Sequence, residues 1–442
     1  MLGGPVRRLA PIAVLYGGRV GVAGLGLVVL PWLSRSMPTE QFGLAATILA
    51  LQTLAVIVDL GLSINIAREF PVLPDAMVRR YILERSERTL VQLYCALAAL
   101  VAGASAAGLV PVSIPTALLT CVSLLLIVWQ NLIVTGFVAR QQFVSSTLLQ
   151  FTSLLFRHGC SLVLVTAFAG TVQVFVVGQV AGAAAVLALS RWIFMKRHRA
   201  EHRIQPVSAR SIGTTSIAVM IYTMAGACTM QLDKVLLTAL ASPVSTGSYF
   251  LASTLSLVPI TFLASPASQY VQPRLIAALD LRDEQSARRW IIRLAAAILV
   301  LAVLPGICLG VAAPFLVPLW LQGAPQEATV IRYVALLVPG ASIGALGLVP
   351  VIVLIARRDY AAMAIISSLL AVLVLSATAF LATHGTIAAV CITYALYHVV
   401  AAGALWWRAW RIEPWLAPRF AIRRDIANGG MAEPTRLQTP QP

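Results

Sequence analysis

The chain has 442 residues, of which 59% are hydrophobic and only 11% charged, and its formal net charge is +16. A water-soluble fold of this length needs far more surface charge, so the composition argues against a soluble enzyme and for a chain embedded in a bilayer. A cationic excess would ordinarily suggest nucleic acid as a partner; here the placement of the cations explains it by topology, and no nucleic acid is expected.

A membrane helix needs roughly 20 mostly apolar residues. In chain order such runs cover 9–32, 43–66, 90–110, 113–138, 148–169, 172–195, 211–240, 247–269, 291–317, 329–356, 361–383 and 386–408. Leu and Ala dominate them without the alternation of a transmembrane strand, so all are expected to be helices. Pro111 and Gly170 supply turns in two of the shortest gaps. The segment 75–89 reads as an amphipathic helix with Val78, Tyr81 and Ile82 toward lipid. The expected fold is therefore an all-α polytopic membrane protein with twelve transmembrane helices in two six-helix lobes around a central cavity.

The arginines and lysines fall in alternate gaps. They gather before the first span and in the gaps at 67–89, 139–147, 196–210, 270–290 and 357–360, and in the tail, whereas the other gaps hold only Arg35. The positive-inside rule then places both termini in the cytoplasm. The polar run 196–210 is expected to link an amino-terminal lobe at 1–195 to a carboxy-terminal lobe at 211–410, ahead of a disordered basic tail at 411–442. Six spans per lobe give both lobes the same orientation, as in repeats related by an axis along the membrane normal. Pro38 and Gly43 entering the second span are echoed by Pro243 and Gly247 entering the eighth.

Six cysteines all fall within spans and read as small packing residues rather than disulfide or metal ligands. The chain shows no phosphate-binding glycine loop, no dinucleotide fingerprint and no metal-ligand cluster. No catalytic residues, cofactor or metal are expected. The outer gaps are short, which argues against a membrane polymerase or ligase.

Ionisable groups inside a bilayer cost a few kcal/mol on insertion scales and need a reason. The candidates are Arg19, Asp59, Arg157, His158, Asp233 and Lys234. Gln52, Asp59 and Ser63 share one helical face, as do Gln150, Ser153, Arg157 and Ser161. In the seventh span Tyr222, Gly226, Thr229 and Asp233 line one face, while Thr223, Ala227, Met230 and Lys234 line the adjacent one. Arg19 and Asp59 lie at depths an Arg side chain can bridge, so an ion pair between them is expected, against the plainer reading of two packing residues. The Arg157 guanidinium fork suits a phosphate or pyrophosphate, or else carbonyls or Asp233 of the other lobe. His158 reads either as a proton carrier or as a packing residue.

The opening stretch, with Phe42-Gly43, Asp59-Leu60-Gly61 and Arg68-Glu69, resembles that of the Wzx-type polysaccharide flippases of the MOP superfamily. Asp233-Lys234, Gly247-Ser248-Tyr249 and the Pro-Arg pair at 273–274 are similar to motifs of that family's second half. The likeness in layout covers about 1–410. It implies a transporter of the bacterial cell inner membrane that moves an undecaprenyl-diphosphate-linked oligosaccharide between leaflets by alternating access, serving surface or exopolysaccharide synthesis beside a polymerase and glycosyltransferases. Arg19, Arg157 and Lys234 would then bind substrate, with Asp59, Asp233 and His158 in coupling or charge pairing. The alternative is a cation-coupled multidrug or metabolite antiporter of the same superfamily.

Overall fold

The computed structural model describes residues 24–57, 76–108, 113–140, 142–197 and 214–416, and isolated positions at 17, 21, 59, 62, 63, 66 and 70. It is all-helical over the described residues. The first lobe comprises α1 (24–36), α2 (Thr39–Ile57), α3 (Ala76–Ala106), α4 (Ile114–Ala139), α5 (Phe143–Ala167) and α6 (Val172–Arg197). The second comprises α7 (Thr214–Leu240), α8 (Pro243–Asp280), α9 (Glu284–Leu321), α10 (Glu327–Ala356), α11 (Tyr360–His384) and α12 (Ile387–Ile412), then a short turn of helix at Pro414–Leu416. Among the described residues, nine of these helices are long and apolar enough to cross a membrane; the other three are α1, described over a short stretch, and the polar-bearing α2 and α7.

Every expected span has a helix over described residues; within the second span the helix stops at Ile57 before a bend at Asp59, the tenth is interrupted by a turn at Leu346–Gly347, and the other differences lie at the ends. The amphipathic segment at 75–89 is continuous with the third span, because nothing between Arg88 and Leu90 breaks the helix. Its Tyr81 is exposed as expected, but its polar face is anchored. Buried Glu87 accepts from Trp129 Nε1 at 2.8 Å and from Arg191 Nη2 at 3.0 Å, pinning α3 to α4 and α6. α8 and α9 overrun their expected spans on the arginine-rich side and meet in a tight turn capped by Asp283, whose Oδ1 accepts from Ser286 N at 2.9 Å. α12 continues to Ile412, into the segment expected to be tail. The expected linker at 196–210 begins in α6, which runs to Arg197, and its residues 198–210 lie outside the described residues, as do 211–213 and the tail from 417.

The turns sort onto two faces. The α5–α6 turn packs on the α1–α2 turn, where a Cβ on Gly170 would meet Ser36 O at 2.5 Å, and Arg35 Nη1 donates to Gln322 of the α9–α10 turn. This is the arginine-poor face. On the opposite face Arg357 pairs with Glu413, and Arg408 Nε lies 2.6 Å from Asp359 Oδ2.

Candidate functional site

The lobes meet toward the arginine-poor face, at the two sequence echoes. α2 and α8 approach there so closely that a Cβ on Gly43 would lie 1.7 Å from Pro243 O. A Cβ on Gly247 would meet Phe42 Cδ1 at 3.0 Å and Gly43 Cα at 3.5 Å. Glycine at 43 is what lets the backbones touch, while a Cβ at 247 would ask Phe42 to give by a few tenths of an ångström. One turn deeper, Thr47 Oγ1 shares a hydrogen bond with Thr238 Oγ1, which also donates to Thr246. A further contact follows from Pro31. Proline has no N–H, so the carbonyl of Leu27, four residues earlier in α1, loses its helical donor. Trp320 Nε1 of α9 donates to that carbonyl at 2.7 Å from the other lobe.

Beyond this closure, toward the arginine-rich side, a cavity of about 600 Å³ lies between the lobes. The first lobe gives it Leu27, Gln52, Arg157 and His158; the second gives it Met230, Lys234, Ser253 and Phe262. Two of the three cations expected to bind substrate, Arg157 and Lys234, thus reach one space from different lobes. Arg19, the third, lies outside the described residues. No carboxylate is among the described residues that line the cavity.

The polar stripe of α5 positions Arg157. Ser153 Oγ donates to Gln130, Ser161 Oγ donates to Phe175 O at 2.9 Å, and Gln179 Nε2 donates to Ser161 at 3.0 Å. Gln150, placed on the same stripe by spacing, is exposed instead. Arg157 Nη1 makes a long hydrogen bond of 3.4 Å to Gln52 Oε1, and Gln52 is itself held by Ser123 at 3.0 Å. The buried Nε of Arg157 has no hydrogen-bond partner. A guanidinium held by one long bond, beside a cavity, retains donors for an anion. The alternative pairing with Asp233 is not what the structure shows: Asp233 is engaged elsewhere.

The two faces expected on the seventh span separate as predicted. Met230 and Lys234 line the cavity, whereas Asp233 is fully buried behind them. Lys234 Nζ lies 3.0 Å from Asp233 Oδ1 and also donates to Met230 O. Tyr249 donates to Asp233 Oδ2 at 2.8 Å, and Tyr394 donates to Thr229 O. Lys234 is therefore both a wall of the cavity and the counter-charge of a carboxylate that water does not reach.

His158 is buried at the cavity wall with its Nδ1 unpartnered. Asp59 is also buried, with Oδ2 accepting from Ser63 N at 2.9 Å; it lies in a bend past the end of α2 at Ile57, so this is a turn contact and not the expected helical face shared with Gln52. It does not line the cavity, and the expected Arg19–Asp59 pair falls outside the described residues.

Sequence reasoning missed the glycines behind Arg157. A Cβ on Gly182 would lie 2.6 Å from Arg157 Cα, and one on Gly178 would lie 2.4 Å from Ser161 Cα. The four-residue spacing of Gly178 and Gly182 is the signal that could have found them, since such pairs mark close helix contacts in membranes. The polar wall at Ser253 and Thr254 was also missed. Two short hydroxyls in an apolar run carry too little signal to single out.

This architecture of two six-helix lobes around a cavity is similar in fold to solved transporters of the MOP superfamily. An outward-facing multidrug resistance MATE family transporter of that superfamily is 14% identical, with a TM-score of 0.65 over 97% of this chain and 98% of its own. A Vibrio cholerae MATE transporter is 12% identical, with a TM-score of 0.64 over 92% of this chain and 96% of its own. A MOP superfamily transporter from Pyrococcus furiosus, described as having a binding pocket of reverse polarity that suggests a different function, is 15% identical with a TM-score of 0.61 over 92% and 96%. No curated protein matches the chain. The chain belongs to the polysaccharide biosynthesis protein family, whose model matches residues 9–279.

Proposed function

We propose that the chain is a flippase that carries an undecaprenyl-diphosphate-linked oligosaccharide across the bacterial cytoplasmic membrane by alternating access. The observation that carries this reading is the cavity itself: Arg157 and Lys234 reach it from opposite lobes, and no carboxylate lines it among the described residues. A pyrophosphate leaving water needs fixed cations and donors to replace its hydration. Membership of a polysaccharide biosynthesis family supports a glycan as cargo. By the positive-inside rule the arginine-rich face is cytoplasmic, so the closure at Gly43 and Pro243 shuts the outer side and the cavity lies on the side where lipid-linked glycan is made.

The MATE relatives keep the antiporter reading in view, because their fold is the one found here. A cation-exporting cavity requires an acidic group to bind its cargo, and the described wall is cationic instead. The Pyrococcus furiosus relative, with its pocket of reverse polarity, offers a parallel for such an inversion.

The test is deletion of the gene in a strain without a second flippase, followed by complementation. Lipid-linked glycan is expected to accumulate in the inner leaflet, and Arg157→Ala is expected to fail to relieve it at normal protein abundance. Normal surface polysaccharide and normal precursor levels in the deletion strain would refute the proposal.

A further inference from the structure

The arginine-rich ends of α8 and α9 carry a cluster that the cavity does not use. Arg274 Cζ stands 3.9 Å from the ring centroid of Tyr270, and Arg274 Nη1 donates to Tyr270 O at 2.6 Å. The same guanidinium lies 5.6 Å from the centroid of Trp290, and Arg293 Cζ lies 5.0 Å from it. Both arginines are exposed, and neither takes part in an ion pair among the described residues. Two like charges gathered on one indole repel each other, and an anion between them relieves the repulsion.

Two helices place this cluster at the same depth. A hydrocarbon core of about 30 Å takes about 20 helical residues. Counted back from Leu321 at the arginine-poor end of α9, Arg293 lies about 8 residues past the core, or about 12 Å. Counted forward from Pro243 at the arginine-poor end of α8, Tyr270 lies at about the same distance past it, and Arg274 folds back onto Tyr270. The headgroup region fills about the first 5–8 Å past the core, within reach of long arginine side chains at that level. The exposed stripe of α9 changes character there as well: Arg289 and Arg293 give way within two turns to Leu299 and Val300, 52% and 58% exposed. A basic band running directly into an apolar one fits a lipid, with its phosphate at the arginines and its acyl chains along the lower turns.

We propose that Tyr270, Arg274, Trp290 and Arg293 form a binding site for the headgroup of an anionic phospholipid in the leaflet on the arginine-rich side. Trp290 and Tyr270 hold the guanidiniums in place by cation–π contact, and the phosphodiester accepts from their outward N–H groups. The site lies on the outside of the second lobe, so it does not depend on what the cavity carries.

The test is native mass spectrometry of the full chain in detergent, titrated with phosphatidylglycerol and, separately, with phosphatidylcholine of the same acyl chains. The wild type is expected to retain phosphatidylglycerol at least tenfold more tightly than phosphatidylcholine. Arg274→Gln/Arg293→Gln is expected to erase that preference, and Arg88→Gln, which removes a charge from the same face of the other lobe, to preserve it. Elution and thermal unfolding report whether the double variant is folded; if it is not, Arg293→Gln alone, at an exposed position, is titrated in its place and is expected to lose several-fold. Equal retention of the two lipids, equal loss in Arg88→Gln, or displacement of the lipid by inorganic pyrophosphate would each overturn the proposal, the last by marking a substrate site.

Discussion

Replacing Gly43 by alanine puts a methyl group where the two lobes touch. The added Cβ would lie 1.7 Å from Pro243 O and 2.3 Å from Pro243 C. Carbon atoms sit comfortably at about 3.5–4.0 Å, so α2 and α8 must part by more than about 1 Å. Overpacking typically costs about 1–3 kcal/mol, and the upper end applies because both partners are backbone and neither can rotate away. About 3 kcal/mol shifts a two-state balance by roughly 100-fold. The strain falls between the lobes, so it is released by opening them rather than by unfolding either. The assay is labelling of Ser253→Cys, on the cavity wall, in a chain stripped of its six native cysteines. An impermeant maleimide is applied from the arginine-poor face. Gly43→Ala is expected to raise the labelling rate by one to two orders of magnitude at unchanged abundance. An unchanged rate in a chain that still transports would refute the assignment of this contact as the closure.

The other contacts give smaller or separable effects. Trp320→Phe leaves the Leu27 carbonyl without its donor, so the same labelling is expected to rise by a few-fold, in line with about 1 kcal/mol for a neutral hydrogen bond; a rate equal to wild type would show that the Pro31 gap is filled some other way. Lys234→Gln strands the buried Asp233 carboxylate and is expected to lower stability by about 3–5 kcal/mol. Asp233→Asn/Lys234→Gln should recover most of that stability in a thermal unfolding scan without restoring transport; recovery of both would make Lys234 purely structural. Gly182→Ala pushes the α5 backbone at Arg157 and is expected to impair transport more than the same change at Gly226, where nothing lies within 4 Å; equal effects would detach the glycine from the site.

The spans were legible because bilayer thickness writes itself into sequence as runs of fixed length, and the cations because they are too costly to scatter through those runs. The helical spacing on α7 even separated Lys234, which faces the cavity, from its neighbour Asp233, which does not. What could not be read was which lobe-to-lobe contacts exist. Pro31 is visible in the chain, but Trp320, which donates to the carbonyl it frees, is 293 residues from Leu27, and no local pattern links them. Gly43 and Gly247 could be matched as echoes of each other, yet matching does not say that they touch. The helix ends beyond the membrane were misjudged for a related reason: hydropathy marks where lipid stops, whereas α8 and α9 stop at the Asp283 cap, which answers to hydrogen bonding.

The two cations of the cavity belong to different lobes, and this bears on how cargo would be released. Arg157 is fixed to α5 through contacts confined to the first lobe, and Lys234 through Asp233 and Met230 within the second. Among the described residues no hydrogen bond or ion pair ties one to the other across the cavity, so the distance between them is set by the angle between lobes. In the proposed flippase a diphosphate bridging both is held best in one lobe arrangement and less well once the lobes separate. A ligand can shift an equilibrium only by its differential affinity for the two states. If each charged contact is worth about 1.5–3 kcal/mol, losing one on opening weakens binding by roughly 10- to 100-fold. The glycine contact at Gly43 and the cation pair then both act on the angle between the lobes. Arg157→Ala combined with Gly43→Ala is therefore expected to open the lobes no further than Gly43→Ala alone without ligand, and to abolish any ligand-induced slowing of Ser253→Cys labelling. Ligand protection that survives the loss of Arg157 would mean that the anion is held by one lobe only.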